Sequence, residues 1–348
     1  MTKVKQKIST MKELSEIIGI SRPTLSRYFQ DPDSVRASTS DKIKEGLEGV
    51  DYVYNFIATR QNRKSSGLIG VIVPHYNDLF FTSLLEAIES AARAEGYTVI
   101  TQGSDGNAEG EIQAVARLRS MNADGAIIAP LGLESSNETF RSARADFPIV
   151  FVDSRPEEDV PGTDFVGTDN KQSIAVIVEY LDRTGTSPIF LGMPKLNNNA
   201  LEREAAYIES AHRLGFEPKF VETRGAAESW QFEAFGLDVM DAHFSHGRHM
   251  SDTILCANDR IAIGAIRAAN KHGLFARSTD GHSGLRIAGH DDHPLSQYMF
   301  PAVTTVGQDI DGIGNTSVKV LVERILGEHD AEKSTSFEES SLKVRESA

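Results

Sequence analysis

Cysteine is nearly absent from this chain, and long apolar runs are absent altogether. The single Cys256 cannot form an intramolecular disulfide and suits a reducing cytosol. No apolar stretch approaches the roughly 20 residues that cross a bilayer. The opening MTKVKQKISTMKEL has lysines with no apolar run behind them, so no secretory signal is expected and a cytoplasmic protein without membrane partners is. Catalytic motifs are missing too: there is no G-x-x-x-x-G-K-[ST] phosphate loop, no G-x-S-x-G elbow and no H-E-x-x-H. Neither enzymatic activity nor a cofactor is therefore expected. What remains is an ordinary globular composition, 40% hydrophobic and 25% charged over 348 residues, a length that suggests two or three domains.

Positive charge is scarce overall, at a formal net of -14, but not everywhere. Residues 1–64 hold 12 Lys and Arg against 8 Asp and Glu, whereas the rest hold 24 against 42. A basic head on an acidic body suggests that only the head meets a polyanion; a merely solvated basic terminus is the plainer alternative.

The head reads as three short helices. Thr10 and Glu13 make a capping box. Met11, Leu14, Ile17 and Ile18 then fall on one face at helical spacing, and Gly19 suits the left-handed residue that ends the helix. Ser21 caps a second helix, with Pro23 tolerated in its first turn. Leu25, Tyr28 and Phe29 face inward on this reading, leaving Arg22, Thr24, Ser26 and Arg27 outward. DPDS breaks the helix. Ser38 with Asp41 starts a third, carrying Ile43, Leu47 and Val50 inward. So tight a turn between the first two helices matches a helix-turn-helix, and the exposed residues are those that read base edges and hold phosphates. A three-helix protein-interaction module is the alternative.

The body alternates short apolar runs with amphipathic stretches. LIGVIVP, YTVIT, DGAIIAP and PIVFVD, and later PIFLGMP, DTILCAN and LRIAGHD, read as buried parallel strands. The expected fold is α/β: an all-α head, then two doubly wound lobes with ligand chemistry at the strand ends between them. HFSHGRH places His243, His246 and His249 three apart, but Gly247 interrupts the helix and no carboxylate completes a metal site. No metal is expected there.

The segment TMKELSEIIGISRPTLSRYFQ resembles the T-x-x-[DE]-[VL]-A-x-x-A-G-V-S-x-x-T-V-S-R-x-x-N signature of the lactose/purine repressor family. Ser15, Ile18 and Gln30 are its departures. The likeness continues through YVYNFIATRQNRKSSGLIGVIVP, similar to the family's hinge and first ligand-domain strand, and runs to the C-terminus. It implies a helix-turn-helix domain at 1–52, a hinge at 53–66 and a bilobed, periplasmic-binding-protein-like body at 67–348, with crossovers near residues 165, 290 and 330. The polar end of the chain would pass for disorder on composition, yet LKVRESA is similar to the family's closing strand and is expected to be ordered. The chain shows no leucine heptads, so a homodimer is expected rather than a tetramer.

The resemblance also assigns roles. It implies a ligand-responsive regulator, a repressor of a carbohydrate uptake or catabolism operon, binding a palindromic double-stranded DNA operator. The alternative is a cytosolic sugar- or purine-binding protein of the same fold. A periplasmic sugar-binding protein is disfavoured by the basic head. Thr10, Ser21, Arg22, Pro23, Thr24, Ser26 and Arg27 are the expected DNA-binding residues of the head. In the hinge, Asn55 and Ala58 match the family, while Gln61 stands where a leucine wedges into the minor groove; a weaker bend is expected. Arg60 and Arg63 would hold the backbone.

A sugar presents a rim of hydroxyls and an apolar face, so its pocket needs carboxylates and amides beside an aromatic platform. At the strand-end positions where the family binds effectors, the resemblance implies Asp78, Phe80, Phe81, Asp153, Arg203 (the family's arginine, in NNNALEREAAY), Trp230, and Asn258, Asp291 and Gln308, which match its AND, G-x-D-D and TTV-x-Q positions. Phe80 as plain core and Asn258 as a helix brace are the competing readings. Arg203 and Asp291 are expected to bridge neighbouring hydroxyls, and a purine is the alternative effector.

Overall fold

A computed structural model of the chain describes residues 5–30, 32–54, 65–223, 229–275, 284–328 and 333–348. It divides into two compact units, Met1–Ser66 and Gly67–Ala348. The expected hinge residues Asn55, Ala58, Arg60, Gln61 and Arg63 lie outside the described residues.

The head runs β1 (Gln6–Ile8), α1 (Met11–Ile18), α2 (Arg22–Gln30), a 3-10 turn at Pro32–Ser34, α3 (Ala37–Glu48) and β2 (Val50–Tyr52). The Thr10 hydroxyl accepts from the Glu13 amide at 3.2 Å, and Glu13 accepts from the Thr10 amide at 3.3 Å. Gly19, at φ 68°, ends α1 in the left-handed region, which glycine enters without strain. Leu14, Leu25 and Ile43 are fully buried, with Ile18, Tyr28, Ile8 and Val50 around them. Gly46 lets α3 approach α1: a Cβ there would meet Ile18 at 2.7 Å.

Three features differ from the sequence reading. β1 and β2 pair in parallel, joining the two ends of the helical head; three-residue strands are too short for alternation to reveal. Ile17 is 47% exposed, because only two positions per turn of so short a helix can face the core. The third helix begins at Ala37, ahead of Ser38, with no side-chain cap.

In the first lobe, β3 (Leu68–Val73), α4 (Leu79–Ala94), β4 (Thr98–Gly103), α5 (Ala108–Ser120), β5 (Gly125–Ile128), α6 (Asn137–Ala143), β6 (Ile149–Val152) and β7 (Asp164–Thr168) alternate. The second lobe follows with α7 (Asn170–Thr184), β8 (Ile189–Leu191), α8 (Asn198–Leu214), α9 (Phe232–Ser245), β9 (Thr253–Cys256), α10 (Asp259–Lys271), β10 (Arg286–Ala288) and β11 (Thr305–Gln308). Then come α11 (Ile310–Leu326), β12 (Thr335–Glu338) and β13 (Ser340–Lys343). The first sheet has the order β12-β7-β6-β5-β3-β4, all parallel, and the second the parallel order β10-β9-β8. Strands β3, β5 and β6 are buried along their whole lengths, as a sheet covered on both faces requires.

The chain changes lobe after β7, after β11 and after β12. The first change falls close to residue 165, but the second lies near Gln308 rather than 290. Bridges from Ala288 to Thr304 and from Asp291 to Gly307 keep β11 with the second lobe, whose core includes Val303 and Val306. α11 then returns to the first lobe's core through Ile313, Val318 and Leu321. The C-terminal residues are ordered. β13 pairs antiparallel with β11, and the buried Ser347 donates its amide to Ala302 and its hydroxyl to Ile287.

Candidate functional site

Two surfaces bring the expected site residues together. In the head, the turn between α1 and α2 is braced by Ser15, whose hydroxyl donates to the Ile20 carbonyl at 2.7 Å. Serine in place of the family's alanine thus adds a bond to the turn. Ser21 opens α2: its carbonyl accepts from the Thr24 and Leu25 amides, and its hydroxyl lies 2.8 Å from that of Thr24. Ser21 and Thr24 are therefore oriented by each other, and Thr10 by its own cap. Arg22, Pro23 and Arg27 are exposed, while Thr24 and Ser26 are half-buried. No ion pair engages the Arg22 or Arg27 guanidinium among the described residues. Two uncommitted cations on the exposed face of a buried helix are what a polyanion contact needs.

The second surface is the cleft between the lobes, at the strand ends where small-molecule sites of α/β sheets form. Eight of the nine expected effector residues line it: Asp78, Phe80, Phe81, Asp153, Arg203, Trp230, Asn258 and Asp291. They converge because each loop after a parallel strand opens at the same end of its sheet. Asp78 follows β3 and caps α4, accepting from the Phe80 amide at 3.0 Å. Asp153 follows β6 at φ 63°, and Asp291 follows β10 at φ 115°. Phe80 and Phe81 also belong to the first lobe's core, and Asn258 caps α10 through the Ile261 amide.

Arg203 is the centre of the cleft floor and only 3% exposed. It donates to Asn170, to the Ala257 carbonyl and to Asp291, at 3.0, 2.8 and 2.8 Å. Asp291 Oδ1 also accepts from Gln308 and His290, both at 2.8 Å. Gln308 does not line the cleft; it ties Asp291 to Thr168 where the chain passes between lobes. Burial raises the Asp291 pKa, but Arg203 and His290 more than offset it, holding it at about 2. Burial and Arg203 press His290 down to about 4. A neutral His290 can then donate to Asp291 and accept the Ser173 hydroxyl, 2.8 Å from Nε2.

Asp153 has the opposite environment. Among the described residues its one hydrogen bond comes from Asn199 at 3.2 Å. Burial raises its pKa to about 7, with Arg203 opposing and Asp291 reinforcing the shift.

Sequence reasoning missed Met193, Asn197, Asn199, Phe232, Arg260 and His293. Arg260 reaches across the cleft to Asp78 at 2.9 Å while gripping Glu233 with two nitrogens, at 2.7 and 2.6 Å. A cation in the first turn of α10 opposes the helix dipole, and that mismatch was the available signal. His75 meets Trp230 edge-on, their centroids 5.6 Å apart, and Asn198 donates to the Arg155 carbonyl at 3.0 Å. Gly132, at φ 87°, lets the lobes touch: a Cβ there would lie 2.9 Å from Asn197.

The three histidines of HFSHGRH are engaged elsewhere. His243 Nε2 lies 2.8 Å from the Glu222 carbonyl, His246 Nδ1 2.7 Å from the Ala242 carbonyl, and His249 Nδ1 2.8 Å from Asp252. Among the described residues no group of three or more His, Cys, Asp or Glu is placed to hold a metal ion, and no helix is long and apolar enough to cross a membrane.

Residues 69–329 match the periplasmic binding protein domain. Beyond that domain the likeness includes the head. A transcriptional repressor PurR of Vibrio atlanticus is 23% identical over 319 residues, 91% of this chain and 92% of that protein. The chain belongs to the lactose/purine repressor family. The ribose operon repressor of Halalkalibacterium halodurans is 25% identical over 91% of each chain. The regulator MalR of Streptomyces coelicolor is 27% identical over 91% of this chain and 90% of its own length. Among solved structures, the Lac repressor bound to ONPG shares the fold at a TM-score of 0.79 and 24% identity, covering 97% of this chain and 99% of that one. Family membership accounts for both surfaces: a helix-turn-helix head and a cleft at the strand ends.

Proposed function

We propose that this chain is a ligand-responsive transcriptional repressor that binds operator DNA through its head and a small polyhydroxylated effector in its cleft. The observation that carries the reading is α2, whose exposed face presents Arg22 and Arg27, without ionic partners among the described residues, beside the half-buried Thr24 and Ser26. An arginine can donate in bidentate fashion to guanine, whereas Pro23 cannot donate at all. Base reading therefore leans on the two arginines. Relatives named as repressors, and a Lac repressor dimer solved on its operator, support the same role and no catalytic one.

In the cleft, Asp153, Asn199, Arg203 and Asp291 offer acceptors and donors to hydroxyls, and Trp230, Phe81 or Phe232 a face for a ring. The ribose operon repressor and a CelR–cellobiose complex among the similar proteins favour a carbohydrate; the PurR relatives make a purine the alternative. A homodimer matches the exposed large side chains Leu295, Tyr298 and Phe300, the last two 78% and 77% exposed, since exposed apolar side chains grouped in this way favour an interface. A dimer sets two heads on a palindromic operator.

The test is selection from a random duplex pool. Wild-type protein should enrich a palindrome, and Arg27→Ala should relax preference at one position of each half-site by about 1–3 kcal/mol. Enrichment of no sequence, with weak binding to all duplexes alike, would remove the regulator reading.

A further inference from the structure

The cleft holds more carboxylates than cations, and the surplus falls on one residue. Arg203 and Arg260 line it against Asp78, Asp153 and Asp291, with Glu233 gripped by Arg260. Both guanidinium groups are already committed, Arg203 to Asp291 and Arg260 to Glu233 and Asp78. Burial lowers the pKa of both His75 and His293, so neither adds positive charge near neutrality. Among the described residues Asp153 is left with one neutral donor, the Asn199 amide at 3.2 Å. No donor reaches Asp291 Oδ2 among the described residues.

We propose that the effector carries a basic amine beside its hydroxyls, an amino sugar or imino sugar in chemical class, and that Asp153 selects the amine. This rests on the reading of the cleft as an effector site and narrows its ligand. An ammonium placed at Asp153 makes a charge-assisted bond where the protein supplies only a neutral one. A carboxylate or phosphate on the ligand would instead enter a region with surplus negative charge and no free cation. The raised pKa of Asp153 has the same origin, burial without an ionic partner of its own.

The experiment is calorimetric titration of the full chain at pH 7.5 with matched sets: glucose, galactose and mannose, their 2-amino and uronic acid counterparts and 6-phosphates, and 1-deoxynojirimycin. In the series that binds, the amine should bind about tenfold more tightly than its neutral parent, no acid or phosphate should exceed the parent, and D153N should bring the amine-to-parent ratio close to one. A neutral parent equal to its amine, or an acid that binds best, overturns the amine while leaving the carbohydrate effector standing. Binding by none of these probes overturns both.

Discussion

The two arginines of the cleft carry the same charge and do different work. Arg203 is paired entirely within the second lobe, with Asn170, Ala257 and Asp291, and its side chain is 4% exposed. Arg260 starts from the second lobe and ends on Asp78 of the first, with 16% of its side chain exposed. One builds the floor of the pocket. The other keeps Glu233 within its own lobe, but its bond to Asp78 exists only while the lobes are together. If effector binding alters lobe closure, the first kind of residue would shape the ligand site and the second would couple ligand to conformation, as a two-state regulator needs.

The largest effect should come from breaking the floor. Arg203→Ala leaves Asp291 buried without its cation and should destabilise the body by about 3–5 kcal/mol, measured by urea unfolding, with effector response lost. Arg260→Ala should cost less, about 1–3 kcal/mol, since Glu233 is 44% exposed and can be hydrated. Its signature is different: a double-mutant cycle with Asp78→Asn should show coupling of about 0.5–3 kcal/mol, and small-angle scattering should report wider lobes. Arg203→Ala paired with Asp78→Asn should be additive, and strong coupling there would erase the distinction.

Gly132→Ala sharpens the comparison without touching either arginine. A left-handed φ of 87° with a Cβ 2.9 Å from Asn197 should cost about 1–2 kcal/mol of strain. It should weaken effector binding by holding the lobes apart. The smallest effect is one of pH. Asp153 has an ordinary pKa of 3.8 and about 7 in the fold, so the native state keeps a proton that the unfolded chain has released. Its contribution therefore falls as pH rises from about 4 to about 7. The melting temperature of Asp153→Asn minus that of wild type should grow across this window and level off above it; a constant difference would show that Asp153 is ionised throughout.

How far the sequence led depended on how local each signal was. Strands β3, β5, β6 and β9 were legible because LIGVIV, GAII, IVFV and TILC are short apolar runs buried on both faces. β12 and β13 were not, since TSFE and SSLK alternate between half-buried and exposed residues and are held by pairing with β7 and β11. Likeness to the family placed the closing segment where composition could not. In the cleft, residues tied to a motif were legible: Asn258 in AND, Arg203 in NNNALEREAAY. Arg260 was not, because its partner Asp78 lies 182 residues away, a contact only the folded chain creates. Gln308 carried a motif, yet its amide serves the crossover through Asp291 and Thr168.

Effector in the cleft should control the head through the state of the lobes. This control is tested most directly by fluorescence anisotropy of the selected operator, titrated with wild-type protein and with Arg260→Ala, each with and without saturating effector. Effector should change the operator affinity of the wild type by about 5–150-fold, the usual range of such coupling, and Arg260→Ala should shrink the change while leaving binding to the operator itself intact. Equal operator affinity with and without a ligand that demonstrably occupies the cleft would contradict it.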